Sequence, residues 1–402
     1  MRFFKDLSLS AFTAGFVAVL VGFTSSVALV FQAAQSFTAD PQIISSWMWA
    51  LGLGMGLSSW LPSLWWRRPV MVAWSTPGAA VLAAAGLGGG FSMGEAVGAF
   101  MVCAALIVLF GATGWFERLL SRIPVAIASA LLAGVLTRFG LQAFSAAKTA
   151  PGLVVLMLLA YLLSRRYLVR YAVVLTLAAG LAWVSLMGHF SLASVQIELA
   201  RPVFIAPEFS VSALVSLAIP LFVVTMASQN LPGVVAIQAA GYGGAQGIPV
   251  SKVITLTGLM TMVLAPFGAF ALNLSAITAA ICMGPEAHRD PARRYTAAVS
   301  CGVLYVLIGV FGGTVTSVLS AFPTALVAAI AGLALLGTIG GGLASALAHE
   351  PHREAALITF LVTLSGVVLW DVGSAFWGVV AGVLALFIQY GRSWMTSTRT
   401  AS

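Results

Sequence analysis

The chain has 402 residues, 60% hydrophobic and only 7% charged, with a formal net charge of +8. Too few polar residues are present to cover a soluble surface, so the composition defines a polytopic membrane bundle and excludes a conventional soluble domain. The basic residues fall in short clusters between apolar runs, the pattern that orients membrane helices, and this excludes a nucleic-acid partner.

Taken in order, fourteen membrane segments are predicted, with approximate limits 9–36, 43–64, 70–87, 93–112, 123–143, 151–164, 171–188, 211–240, 249–265, 267–283, 293–312, 322–340, 355–370 and 375–391. No cleavable signal is expected at the N-terminus, because the apolar run from Ala11 to Ala34 is too long for a signal h-region and reads as a retained span. Thr24, Ser25 and Ser26 lie just past the midpoint of that span. The third segment is interrupted by Trp74-Ser75-Thr76-Pro77. Proline is accepted at the first helical position and pushes the residue before it toward extended geometry, so Val70 to Trp74 is expected as a short strand, Thr76 as the cap, and the helix as starting near mid-membrane.

Further along, the eighth segment carries Thr225, Ser228, Gln229 and Asn230 just before Pro232-Gly233, and the tenth repeats the interruption as Leu272-Asn273-Leu274-Ser275. Two half-helices are thus expected to point their positive N-termini at one another near the bilayer centre, where free amides attract a carboxylate. Trp74, Phe267 and Phe270 adjoin the interruptions, where a ring could sandwich an aromatic ligand. The hydroxyls of Thr24, Ser25, Ser26, Thr225 and Ser228 either bond back to their own helices or face this cavity; Gln229, Asn230 and Asn273 are less easily satisfied locally and more strongly point into it.

What is missing is informative too. No Asp or Glu lies in the middle of any span; Glu95 is at a span entrance and Asp371 in an outer turn, which leaves these two as the rim candidates for carrying a proton. Arg138 is the only charge well inside a segment. His189, His288, His349 and His352 lie in loops, and Cys103, Cys282 and Cys301 read as isolated small hydrophobes, so neither a metal, a cofactor nor a disulfide is expected. The Gly-rich stretches at Gly86 and Gly340 lack the Lys-Ser/Thr of a phosphate loop, and no Ser-His pair or paired-carboxylate motif at membrane depth suggests an enzyme.

Charge and repetition set the topology. With the N-terminus inside, sixteen of the nineteen Lys and Arg, from Arg2 and Lys5 to Arg392 and Arg399, fall on the inner side; only Lys148 and Arg201 fall outside, so both termini are expected to be cytoplasmic. Ile123-Pro-Val-Ala resembles Phe322-Pro-Thr-Ala, Phe31-Gln-Ala-Ala resembles Ile237-Gln-Ala-Ala, and the two polar interruptions recur at nearly the same spacing. The chain therefore reads as two repeats, 1–195 and 196–402, and an odd seven crossings in each makes the second inverted. Residues 189–209 are the connector, either a short strand or a surface linker.

Pro220-Leu-Phe-Val-Val-Thr-Met-Ala-Ser-Gln-Asn-Leu-Pro-Gly, the Ser75-Thr76-Pro77-Gly78 interruption, and Pro266-Phe-Gly-Ala-Phe-Ala-Leu-Asn273 followed by Pro285-Glu-Ala-His-Arg-Asp290-Pro resemble the bacterial benzoate/proton symporter (BenE-type) family. The likeness runs over nearly the whole chain. It implies the fold of uracil permeases and sulfate-type anion transporters: an all-α membrane protein with short strands in segments 3 and 10, a core domain from about 9–112 and 211–312, and a gate domain from about 123–188 and 322–391. It also implies elevator-like motion, substrate held between the half-helices, a bacterial inner membrane location, and a homodimer as a compatible assembly. Uracil permeases carry glutamates where this chain has Gln229 or Asn230 and Asn273. Amides do not repel a carboxylate, so the departure suits import of benzoate or a related aromatic acid together with a proton. Other readings of the same fold are transport of a different small anion or a nucleobase, or an anion channel.

Overall fold

The computed structural model describes residues 2–24, 26–38, 40–87, 90–114, 125–168, 172–188, 197–244, 247–285, 287–367, 369 and 374–390. It is a predominantly helical membrane-type protein. Among the described residues, five helices are long and apolar enough to cross a membrane, or up to seven if each sharply bent pair is one span.

A short α1 (Arg2–Asp6) precedes α2 (Leu9–Thr24) and α3 (Val27–Phe37). The predicted first span is thus broken, with a 43° bend between its halves, where Ser26 leaves helical geometry at φ −143° and ψ −6°. Next comes α4 (Pro41–Trp66), started by Asp40, whose carboxylate accepts the Gln42 N–H, with Pro41 in the first turn. The strand β1 (Val72–Trp74) leads into α5 (Thr76–Leu87). Helix α6 (Met93–Thr113) opens on a capping box made by Ser92 and Glu95. Then follow α7 (Val125–Ser145), α8 (Pro151–Tyr167) and α9 (Ala172–Leu186).

The second part begins with α10 (Val211–Gln238) and continues through α11 (Val250–Leu264), β2 (Leu272–Leu274) and α12 (Ala276–Met283). After α13 (Tyr295–Val310) an additional helix, α14 (Gly312–Ser320), turns away by 69°; it fills the stretch between the predicted segments 293–312 and 322–340, where no helix is expected from the sequence. The chain closes with α15 (Thr324–Leu347), α16 (Arg353–Ser365) and α17 (Ser374–Tyr390).

Small residues bring the helices together, as packing in lipid requires. A Cβ on Gly52 of α4 would lie 2.6 Å from the Gly309 backbone of α13, and one on Gly258 of α11 would lie 2.9 Å from the Val108 amide of α6. Helix α7 packs lengthwise on α15, and a second buried cluster joins α8, α9 and α15 through Met157, Tyr161 and Leu326. The Arg138 guanidinium lies against Gly366, the left-handed residue that ends α16. There its charge meets the negative end of a helix dipole.

One expectation is corrected here, and one of two alternatives is favoured. Cys282 and Cys301 are not isolated: the turn between α12 and α13 brings their thiols together beside the Tyr305 hydroxyl, all three buried and the thiols free. The connector forms no strand over its described part; it runs extended, with Ala200, Ile205 and Glu208 donating backbone N–H groups to Val310, Pro266 and Gly94, and Val203 to the Ser46 hydroxyl. This strap ties the ends of α4, α6, α11 and α13 together.

Candidate substrate site

Two three-residue strands cross antiparallel inside the helical bundle, Ala73 opposite Asn273, Val72 opposite Leu274 and Trp74 opposite Leu272. A strand pair at membrane depth is tolerable only if its outer edges find partners, since lipid supplies none. On the β1 side, Ser59 of α4 accepts the Val72 N–H at 3.0 Å and Ser63 accepts the Val70 N–H at 2.9 Å. On the β2 side, Thr261 of α11 accepts the Leu272 N–H at 3.1 Å and Asn230 of α10 accepts the Leu274 N–H at 2.9 Å. The ladder is extended at both ends, by Ser75 N–H to the Ala271 carbonyl and Ser275 N–H to the Met71 carbonyl.

The two half-helices start beside this ladder but are not equivalent. At α5 the cap is Ser75, not Thr76 as the sequence suggested, because the helix already includes Thr76 and Pro77 sits in its second position. The Ser75 hydroxyl oxygen accepts the Gly78 N–H at 3.1 Å and the Thr225 hydroxyl at 2.8 Å. At α12 the cap position is Ser275, in extended geometry, yet no side chain caps the helix: the Ser275 oxygen accepts the Thr278 hydroxyl instead, at 2.7 Å. The first turn of α12 thus keeps the uncapped amides that favour an anion.

Trp74 is locked rather than free. Its indole N–H donates to the Ser26 hydroxyl at 2.7 Å, and its ring lies 5.3 Å from that of Phe23. This ties the break in the first span to β1 and brings in Phe23, which the sequence reading passed over although it adjoins the Thr24-Ser25-Ser26 run. Ser25 and Asp371 lie outside the described residues, as does the side chain of Thr24.

Helix α10 contains two π-turns, Leu214–Ala218 and Met226–Asn230. Each precedes a proline, Pro220 or Pro232, two residues on. A proline cannot donate to the carbonyl four residues back and crowds it, so the preceding turn widens. The second π-turn holds three of the candidates and separates them. Asn230 is fully buried, its oxygen bracing β2 and its amide nitrogen reaching the Met226 sulfur at 3.2 Å. Ser228 and Gln229 remain partly exposed, as does Thr76, and Gln229 makes no hydrogen bond among the described residues.

Asn273 is also fully buried. Its amide nitrogen donates to the Ala271 carbonyl at 3.2 Å, which fixes the oxygen as the other end, and that oxygen has no partner among the described residues. Ala271, whose carbonyl serves both Ser75 and Asn273, has φ of +27°, a strained value for a residue with a side chain. Phe270 departs from expectation. Its ring packs on Trp47 and Phe100 with centroids at 5.8 and 6.1 Å, because the turn at Gly268, φ +103°, directs it toward α4 and α6. Phe267 likewise packs on Trp49 and Phe204. Glu95 is engaged at the start of α6, accepting the Ser92 N–H at 2.8 Å and bonded to Ser210.

The α2–α3 break, the β1–α5 unit, α10 and the β2–α12 unit therefore converge through Ser26–Trp74, Thr225–Ser75 and Asn230–Leu274. Crossed half-helices on a short buried strand pair define the class: this is a membrane transporter. The fold is that of the transmembrane domain of a cyanobacterial bicarbonate transporter, BicA, with a TM-score of 0.61 at 14% identity over 94% of this chain and 98% of that one. SLC26A9 is similar with a TM-score of 0.51 at 12% identity over 91% of this chain and 66% of that one.

The chain belongs to the benzoate membrane transport protein (BenE) family, whose model matches residues 5–388. It is 48% identical to the inner membrane protein YdcO of Escherichia coli over 92% of this chain and 93% of that protein. It is 40% identical to the benzoate membrane transport protein of Acinetobacter baylyi over 96% of each. These relatives are named as membrane proteins and not as enzymes.

Proposed function

We propose that this protein is a secondary active transporter of the bacterial inner membrane that imports benzoate or a related aromatic carboxylate with a proton, by elevator-like alternating access. The observation that carries this reading is the uncapped start of α12 facing the capped start of α5 across the strand pair, with partly exposed Thr76, Ser228 and Gln229 beside it. The carboxylate is held by the amides of α12 and the Gln229 amide, with Phe23 and Trp74 as the aromatic wall. A carboxylic acid with a pKa near that of Glu, about 4.3, is almost wholly anionic at neutral pH, so the proton must join it or a nearby group during transport. Asn273 supports the first route: its unpartnered oxygen is an acceptor and suits the O–H of a protonated acid. Glu95 is the weaker seat, already bonded at a helix start, and Asp371 is a rim alternative.

Two inverted repeats of seven, with core and gate domains, are supported by packing that recurs. The α4–α13 contact has its counterpart in α6–α11, and the α8–α9 contact in α16–α17, while α7 and α15 pair with each other. Uptake of labelled benzoate into proteoliposomes tests the proposal. Acceleration by an acidic outside and counterflow against internal benzoate are the expected results; uptake indifferent to the pH gradient removes symport, and flux without counterflow makes the protein a channel. The likeness to a bicarbonate transporter favours one second reading, a small inorganic anion as cargo, which competition by bicarbonate and sulfate but not by salicylate would establish.

A further inference from the structure

Helices α4 and α11 flank an open apolar cavity of about 240 Å³, walled by Leu57, Leu61, Trp65 and Trp66 on one side and Leu256 and Met260 on the other. Its shape follows from the sequence of α4. Leu57, Leu61 and Trp65 form a ridge at every fourth residue, and the smaller Ser58 and Pro62 form the adjoining trough. The Ser58 hydroxyl is buried there without a partner among the described residues. The two helices run antiparallel, since Gly54 of α4 meets Leu264 near the end of α11. The Trp66 end of the cavity therefore lies toward the start of α11, and the cavity runs about 12 Å from Ser58 to Trp66 at 1.5 Å per residue.

The chemistry at that end is basic. Arg67 follows Trp66 directly in a left-handed conformation and is exposed, and Lys252, also exposed, lies one turn before Leu256 on the same face of α11. Neither makes an ion pair among the described residues, while Asp6, which like Arg67 lies near Tyr295, accepts the Tyr295 hydroxyl at 2.8 Å and pairs with Arg293. Leu61 and Trp65 are 53% and 85% exposed, so the cavity opens to the side, where a membrane protein meets acyl chains. Tryptophan rings beside basic residues mark the level of lipid headgroups.

We propose that this groove binds an anionic phospholipid, one acyl chain lying between α4 and α11 and its phosphate held by Arg67 and Lys252. The proposal does not depend on which substrate the transporter carries. The full-length protein, purified in neutral detergent and stripped of lipid, is titrated with dioleoyl phosphatidylglycerol or dioleoyl phosphatidylcholine, with bound lipid counted by native mass spectrometry. Phosphatidylglycerol should bind at least tenfold more tightly, and the Arg67→Gln/Lys252→Gln protein should bind both lipids alike. Ser58→Leu, which fills the trough, should weaken both lipids while leaving the transporter folded. Equal affinity for the two lipids in the unaltered protein overturns the proposal even if the double variant fails to fold. So does protection by inorganic phosphate equal to that by phosphatidylglycerol, displacement of the lipid by benzoate, or Leu61→Cys cross-linking into covalent dimers in native membranes, which would assign the groove to a second copy.

Discussion

Gln229 and Asn230 are neighbours in one π-turn, and the geometry gives them opposite jobs, so replacing each with alanine should separate stability from binding. The Asn230 oxygen is the partner of the Leu274 N–H, at 2.9 Å and wholly buried. Asn230→Ala leaves that donor unsatisfied on the edge of a strand at membrane depth, which costs about 1–3 kcal/mol, and no water can replace the bond. Gln229 makes no hydrogen bond among the described residues and is partly exposed, so Gln229→Ala should change stability by less than about 0.5 kcal/mol. Its loss should show instead in binding, where one charge-assisted hydrogen bond to a carboxylate is worth about 1.5–3 kcal/mol, a tenfold weakening or more. Denaturation midpoints of the detergent-purified variants give the first quantity and benzoate titration the second. A stable Asn230→Ala protein that has lost benzoate affinity, beside a Gln229→Ala protein that binds normally, would refute the division of roles.

Other consequences can be measured on the same preparations. Ser75→Ala removes the cap of α5 and the acceptor of the Thr225 hydroxyl, with an expected loss of about 0.5–2 kcal/mol; a double-mutant cycle with Thr225→Val should be non-additive, and additive effects would mean that the 2.8 Å contact contributes nothing. A Cβ on Gly233 would fall 2.6 Å from the Leu274 Cβ and 3.1 Å from its backbone, so Gly233→Ala should destabilise by about 1–3 kcal/mol and slow uptake, whereas Gly340→Ala, which meets nothing within 4 Å, should do neither. Outside the membrane, burial and the facing His349, stacked at 4.5 Å, hold the His352 pKa below its ordinary value. The unfolded chain then takes up the proton first, so stability contributed by this pair should fall as pH drops below about 6.5, and His352→Gln should flatten that slope in a pH series of thermal melts.

Much of this architecture is legible in the residues themselves. The apolar composition forces a bundle, and the two polar interruptions force broken spans, because Pro77 and the Ser and Asn residues around each break favour extended backbone followed by a helix start. The convergence of Ser26, Trp74, Thr225 and Asn230 on those breaks follows from the need of buried polar groups for partners. Which partner each one takes is a tertiary matter. Ser75 caps α5 because the helix already includes Thr76, and its oxygen also accepts the Thr225 hydroxyl from a helix 150 positions away. Asn230 turns inward because the free edge of β2 lies against it, and Phe270 is drawn off the site by Trp47 and Phe100. Each π-turn adds one residue to its turn and rotates everything beyond it by about 100°, so no fixed helical period could place Gln229 on the open side and Asn230 on the closed one. Local sequence sets where the backbone must break; only packing between distant segments decides which side chains the break consumes and which it leaves for a substrate.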